Sequence, residues 1–196
     1  MSINNIGCSL TAGWALSCRI MGGISNLYFI PHTNIYNSGF AYGAYDSDDL
    51  ITQISYISSS KFYAIELLNE DAVYNEKKVE DLKTGLVRFE QELSFKLPQM
   101  SAAARKEWLQ MMQKPNIIVF KNNDGNYHMM GKDFGCIVSG NITSGREYNS
   151  YNGINVTAVG NEKYPAYQII GSAVTYSTTV RTSGRIYTEQ STPALD

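Results

Sequence analysis

Strict alternation of apolar and polar residues over positions 86–97 is the clearest pattern in the chain. The apolar set occupies one side at every second position: Val87, Phe89, Leu93, Phe95 and Leu97. The other side holds Arg88, Glu90, Glu92, Ser94 and Lys96. A period of two places one set in a core and the other on a wet face. The segment therefore predicts a half-buried β-strand whose solvated face carries both signs of charge.

The residues after this strand predict a helix and then a hairpin. Apolar side chains recur at the spacing of one helical face at Ala104, Trp108, Met111 and Met112, which predicts a helix over about 101–113. After Pro115, residues 117–120 and 127–130 predict two strands joined by the turn Asn123-Asp124-Gly125-Asn126.

Further strands are predicted on each side of this region. Their positions are residues 27–30, 50–57, 61–68, 153–159 and 166–170. Residues 31–49 look like a polar, glycine-containing connection. Residues 69–85 carry mixed charge with little apolar periodicity and predict a long charged loop. The loop is either an intersubunit contact or simply solvated.

The domain organisation follows from a change in composition near residue 171. Residues 1–171 form one β domain, and the Ser/Thr-rich residues 172–196 form a C-terminal extension or arm. A marginal hairpin, an edge addition on a neighbouring subunit and a disordered tail are all compatible with this extension.

Composition favours strands and turns over helices. The chain has 196 residues, 12% of them aromatic, with 14 tyrosines and 16 glycines. These features predict a mainly β fold, a β-sandwich or barrel with one flanking helix. The net charge of −2 argues against a general electrostatic grip on nucleic acid or an anionic membrane.

The cysteines and the N-terminal residues give no sign of metal binding, secretion or membrane insertion. Cys8, Cys18 and Cys136 are an odd number at no metal-ligand spacing, which predicts free thiols. Neither a secretory signal nor an apolar run of the ~20 residues that cross a bilayer is evident in the sequence. We expect a protein without a membrane-spanning segment.

Candidate catalytic groups do not form a recognisable constellation. His32 and His128 lie on separate predicted elements, and His128 is expected to be an exposed sheet residue. Glu90 and Glu92 share a strand face, but Arg88 and Lys96 beside them are poor neighbours for a general acid. The aspartates at positions 46, 48 and 49 lack the glycine and distal glutamate of a calcium loop. We therefore predict no catalytic, cofactor or metal site and no enzyme activity.

A series of short motifs, taken in order, resembles a known family. The motifs are Cys8-Ser9-Leu10-Thr11-Ala12-Gly13 with Cys18 and Gly22-Gly23-Ile24, Lys61-Phe62-Tyr63, Phe89-Glu90-Gln91-Glu92-Leu93, Ala102-Ala103-Ala104-Arg105, Asn123-Asp124-Gly125-Asn126-Tyr127 with Gly131, Ser144-Gly145, Tyr151-Asn152-Gly153 and Tyr164-Pro165-Ala166-Tyr167. Their order and spacing resemble the tail-tube and related tail structural proteins of tailed bacteriophages, especially a type found in phages of Bacteroidetes.

This resemblance implies a virion structural protein, made in the bacterial host cytoplasm and assembled into hexameric rings. The rings would stack into a tail tube, contact other tail proteins and conduct DNA without binding it specifically. Glu90 and Glu92 are then candidates for the channel face, because an acidic or near-neutral lumen lets DNA slide. Charged residues of the predicted loop are candidates for contacts between rings: Glu70, Asp71, Glu76, Lys77, Lys78, Glu80 and Asp81.

Other functions remain open at this point. The extension after residue 171 also suits a tail connector, terminator or hub component, and an injection-system tube subunit shares the same features. From another class of protein, a small β-sandwich module is an alternative in which tyrosines stack on sugars. Clustering of tyrosines on one exposed face would favour that module.

Overall fold

The computed structural model describes residues 22–42, 50–57, 60–67, 71–81, 85–98, 102–144, 151–174, 176–177, 180–182 and 185–187. The strands are β1 Ile24–Pro31, β2 Ile35–Tyr42, β3 Leu50–Tyr56, β4 Phe62–Glu66, β5 Ala72–Asp81, β6 Leu86–Pro98, β7 Asn116–Asn122, β8 Tyr127–Met130, β9 Ile137–Thr143, β10 Gly153–Glu162, β11 Tyr167–Ile169, β12 Tyr176–Ser177, β13 Val180–Thr182 and β14 Arg185–Tyr187. The α-helix is α1 Ala102–Met112, and short 3-10 turns cover His32–Asn34 and Gly171–Ala173.

Twelve of these strands form two sheets. The larger has eight strands in the order β12-β4-β1-β7-β8-β11-β3-β2, and the smaller has four in the order β5-β6-β10-β9. Strands β13 and β14 pair as a separate hairpin. The described strands close no barrel, so the fold is a β-sandwich with one helix, as the composition predicts.

The main core lies between the two sheets. Leu27 and Phe29 of β1 meet Leu93 and Phe95 of β6 there, with the Phe29 and Phe95 ring centroids 5.6 Å apart. Trp108 anchors α1 against the same cluster. The alternation over residues 86–97 therefore predicts correctly which side of β6 is buried.

A second core cluster fills the opposite face of the eight-stranded sheet. Tyr28 and Ile30 point into it from β1, and Ile117 and Val119 point into it from β7. Central strands that are buried on both faces need apolar residues at consecutive positions, which explains the runs LYFI and IIVF.

The eight-stranded sheet curls around this second cluster. Strands β1, β7, β8 and β11 lie between β4 and β3 in the sheet order. Nevertheless the rings of Tyr56 on β3 and Phe62 on β4 pack edge to face at 5.9 Å. The Tyr56 hydroxyl also donates to the Ala173 carbonyl at 3.1 Å. The curl thus gives the second cluster an enclosed interior without a further sheet.

The structure corrects the predicted loop over residues 69–85. Residues 72–81 form strand β5, which pairs antiparallel with β6 along its whole length. Ala72 and Tyr74 supply its core contacts, opposite Phe95 and Leu93. An edge strand needs few apolar positions, so mixed charge hid it from the sequence pattern. Positions 68–70 and 82–84 lie outside the described residues.

Three further segments differ from expectation. The predicted connection over 31–49 contains strand β2, and the unpredicted β9 completes the smaller sheet. The presumed extension begins inside the domain, because Ala173 and Val174 are buried in the second cluster and β12 pairs with β4. Beyond it, β13 and β14 form the hairpin that was one of the alternatives.

Candidate functional site

The face of the four-stranded sheet that points away from the core is an extended polar surface. We call it the solvent face. It is built by alternate residues of all four strands: Val73, Asn75, Lys77 and Val79; Arg88, Glu90, Glu92, Ser94 and Lys96; Asn155, Thr157, Val159 and Asn161; Ile137, Ser139 and Asn141. Amides and hydroxyls make up about half of it, and both predicted channel residues, Glu90 and Glu92, lie on it.

The solvent face is nearly neutral, not acidic. It holds the three cationic side chains of Lys77, Arg88 and Lys96 against the two carboxylates of Glu90 and Glu92. Arg88 Nη2 lies 2.9 Å from Glu90 Oε1, and Lys77 sits opposite Glu90 in the pairing of β5 with β6. Local pairing therefore offsets charge and leaves a surface with weak attraction for a polyanion.

The two edges of this sheet differ in charge. Strand β5 carries Glu76, Lys77, Lys78 and Glu80. Strand β9 has the sequence IVSGNIT, without a charged residue or proline, and five of its seven residues are exposed. Edge strands usually carry charge, proline or a cover against unwanted pairing. Among the described strands, β9 pairs only with β10, so its other edge can accept a further strand.

The direction of the strands bears on what can pair with these edges. Strand β5 is antiparallel to β6, β6 to β10, and β10 to β9. With four alternating strands, β5 and β9 run in opposite directions. A neighbouring copy related by rotation about an axis parallel to the strands would present its β5 antiparallel to β9.

The predicted inter-ring residues are spread over several environments. Glu70 lies outside the described residues, Asp71 precedes β5, and Asp81 ends it. Lys78 and Glu80 form an exposed ion pair at 3.5 Å. Glu76 is engaged within the chain, because its Oε1 accepts from Gln91 Nε2 at 3.1 Å and from the Ala166 amide at 2.9 Å. Glu76, Lys78 and Glu80 alternate along one side of β5, whereas Lys77 lies on the solvent face.

Gln91 is a buried polar residue that the sequence reasoning missed. It is 1% exposed and occupies a core-facing position of β6. Its Oε1 accepts from the Gly131 amide at 3.2 Å, so it joins the smaller sheet to the end of β8. Beside it, burial and the charge of Glu76 raise the pKa of Tyr74. The sequence does contain a signal for this residue, because Gln91 interrupts the apolar side of the alternating pattern over residues 86–97.

A loop over residues 131–136, here called the corner loop, connects the two sheets. Glu162, at the end of β10, is 4% exposed and holds this loop. Its two carboxylate oxygens accept from the amides of Asp133 and Phe134, each at 3.0 Å. Burial raises the pKa of Glu162, although these two hydrogen bonds oppose the shift. A paired bridge between Asn116 and Cys136 closes the corner.

The corner loop is also anchored to the larger sheet through Lys132. Its Nζ lies 4.2 Å from the ring centroid of Tyr167, 5.2 Å from that of Tyr42 and 5.8 Å from that of Phe40. Burial lowers the pKa of Lys132, but interactions with the two tyrosine hydroxyls outweigh it and raise the pKa overall. The cation–π contacts therefore hold the partly buried ammonium against the larger sheet.

A groove of about 470 Å³ lies beside the corner loop. Its walls include a set of exposed apolar residues: Leu86, Val87, Phe134, Ile137 and Val159. Ile137 is 69% exposed, and Lys163 Nζ lies 5.7 Å from the Phe134 ring centroid. Glu162 lines the same groove, so the residue that holds the corner loop also borders its apolar surface.

The two histidines serve separate packing roles. His32 Nε2 lies 3.1 Å from the Lys132 carbonyl oxygen. His128 is half-buried and not exposed as expected, because its ring stacks on Phe120 at 5.4 Å, and burial lowers its pKa. Cys136 is a buried free thiol, whereas Cys8 and Cys18 lie outside the described residues. Residues 43–49, with their aspartates, also lie outside them.

The described residues contain no group of three or more His, Cys, Asp or Glu side chains placed to hold a metal ion. In the same part of the chain, no helix has the length and apolar character required to span a membrane.

Comparison of the chain with protein-family models, with curated proteins and with solved structures gave no match.

Proposed function

We propose that this protein is a ring-forming structural subunit of a bacteriophage tail tube. Its four-stranded sheets join edge to edge around a channel, and the solvent face lines that channel. The observation that carries the proposal is the uncharged, exposed edge strand β9 at one side of a sheet whose other edge is the long strand β5.

Strand direction supports ring closure. A rotation about a ring axis preserves the direction of strands that run along it. Strand β9 of one copy would meet β5 of the next in antiparallel orientation, which continues the pattern within each sheet. Such a contact uses different surfaces on the two copies, and contacts of this kind close into rings when the rotation permits.

The chemistry of the solvent face suits a channel for DNA. A strongly basic lining would hold phosphates, whereas this face has cations and carboxylates in near balance and many neutral amides and hydroxyls. Asn75, Asn155 and Asn161 hydrogen-bond water readily, which lets a hydrated polyanion pass. Glu90 and Glu92 remain the proposed channel residues.

The distribution of tyrosines favours packing over sugar binding. Tyr28 is buried in the second cluster, and Tyr74 stacks on Phe120 with centroids 4.5 Å apart. At the surface, Tyr42 and Tyr167 lie against the Lys132 ammonium, and Tyr164 packs on the Tyr167 ring with centroids 6.3 Å apart. Because the chain's own lysine lies against two of these rings, the group is a poor stacking platform for a sugar.

The test is the solution mass by light scattering, together with negative-stain images of the same sample. A mass of several subunits and images of rings with an open centre are expected, and stacking of these rings into tubes would favour the tube subunit over a connector or terminator. A monomer at high concentration, without rings under any assembly condition, would contradict the proposal.

A further inference from the structure

Glu162 is a buried carboxylate whose hydrogen-bond partners are backbone amides of a loop and not a cationic side chain. Both of its oxygens accept backbone hydrogen bonds from consecutive residues, Asp133 and Phe134, at 3.0 Å. An ionised carboxylate accepts such bonds about twice as strongly as a neutral group does. A protonated carboxyl has one good acceptor oxygen, so protonation weakens at least one of the two bonds.

The charged and titratable groups around Glu162 come from several elements. Asp133 and Lys132 belong to the corner loop, His32 to the 3-10 turn after β1, and Cys136 to the bridge with Asn116. Arg88 and Lys163 line the groove that Glu162 borders. No ion pair to Glu162 is found among the described residues. The carboxylate is therefore stabilised mainly by the two loop amides.

We propose that Glu162 is a pH-operated latch for the corner loop. The ionised carboxylate fixes the amides of Asp133 and Phe134, and protonation releases them. The latch requires groups of one chain only, so it is independent of ring assembly.

Release of the corner loop would alter the apolar groove beside it. Phe134 is 59% exposed and lines the groove together with Ile137, at the start of β9. The hydrogen bond from its amide to Glu162 keeps it in this position. A released loop lets the Phe134 ring leave Lys163 and alters the apolar wall. Acidification would thus change the surface next to the open edge strand.

The direction of the pH response follows from the two amide hydrogen bonds, because they favour the ionised carboxylate over a released state in which Glu162 stays buried at the end of β10. Burial sets the pH interval. The ordinary pKa of a glutamate is 4.5, and burial raises that of Glu162. As the pH falls, Glu162 therefore takes up its proton above the range in which exposed glutamates titrate. Loop release is expected in that interval, before general acid unfolding.

Amide hydrogen exchange of the whole protein, resolved by residue with NMR, tests the latch. Between about pH 7.5 and about pH 5, the protection of the Asp133 and Phe134 amides, corrected for intrinsic exchange, should fall on the order of tenfold. Protection of the β1 and β7 amides should not change. Unchanged protection at residues 133 and 134 would overturn the proposal.

Two substitutions separate the latch from its neighbours. Glu162→Gln keeps one acceptor oxygen, so at least one of the two amides should be weakly protected at every pH, and neither should respond to pH. Asp133→Asn removes the adjacent carboxylate and should keep the response of the unaltered protein. A pH response that survives in Glu162→Gln would assign the effect to another group.

A direct titration covers the case in which Glu162→Gln fails to fold. The Glu162 side-chain carboxyl and the two loop amides of the unaltered protein are followed by NMR through the same pH range. A shared midpoint supports the latch. Midpoints that differ clearly would overturn it.

Discussion

Gln91 joins the two sheets through single hydrogen bonds to each. Its Nε2 donates to Glu76 on β5, and its Oε1 accepts from the Gly131 amide after β8. Gly160 lies beside it on β10, where the small residue leaves room for Cys136. Polar groups in such a place specify one alignment of the sheets, because each has a defined partner.

Replacing Gln91 tests this role at the residue scale. Gln91→Leu keeps much of the volume but leaves the buried Gly131 amide without its acceptor, which should lower the free energy of unfolding by about 1–3 kcal/mol. Urea denaturation measures the change. Glu92→Leu, on the solvent face of the same strand, is the control and should stay within about 0.5 kcal/mol. Equal effects of the two substitutions would argue against the bridge.

At the scale of the element, the packing of helix α1 on the core centres on one large side chain. Trp108 is 8% exposed in the main core, and Met111 and Met112 pack against the same cluster. Within the described residues its indole N–H is buried without a hydrogen-bond partner. The helix is therefore attached to the sandwich by apolar contacts, and at its C-terminal end by a hydrogen bond from Asn116 Nδ2 on β7 to the Met111 carbonyl at 2.6 Å.

Substitutions on α1 separate packing from helix propensity. Trp108→Ala should lower the free energy of unfolding by about 3–5 kcal/mol, since it removes a buried ring. Leu109→Ala, at a neighbouring position that is 43% exposed, should cost less than about 1 kcal/mol. Thermal and urea denaturation give both values. Trp108→Phe should recover much of the loss, because it refills the space and omits the unpaired N–H.

The open edge of the smaller sheet matters at the scale of the whole molecule. Strand β9 is exposed and uncharged, and the exposed side chain of Asn141 lies near its middle. A lysine on an edge strand hinders pairing with another chain. The sheet inside one subunit does not need this edge, since β10 pairs with the other side of β9.

Asn141→Lys should therefore weaken assembly while the subunit stays folded. The expected result is a lower mass by light scattering with an unchanged circular dichroism spectrum. Asn155→Lys makes the same replacement on the same solvent face, but on β10, where the residue is paired with β6 on one side and with β9 on the other. It should leave the mass unchanged, although it adds charge to the proposed channel. Loss of assembly in both variants would point to charge on the face instead of edge pairing.

The sequence by itself determined the elements whose side chains carry a strong local signal. The alternation over residues 86–97 predicted β6 and its buried side, and the helical spacing around Trp108 predicted α1. The turn at residues 123–126 placed the β7–β8 hairpin. Periodicity reports burial directly, because a residue on a regular element faces either the core or the solvent.

Only the tertiary structure decided the edge strands of the smaller sheet and the contacts of the corner loop. Strands β5 and β9 contain too few apolar residues for a pattern, and their backbones become strands only because β6 and β10 offer hydrogen bonds. Glu162 meets the corner loop across 28 and 29 positions of sequence, and Gln91 meets Gly131 across 40. Such contacts depend on where whole strands are placed in space, which no local period encodes.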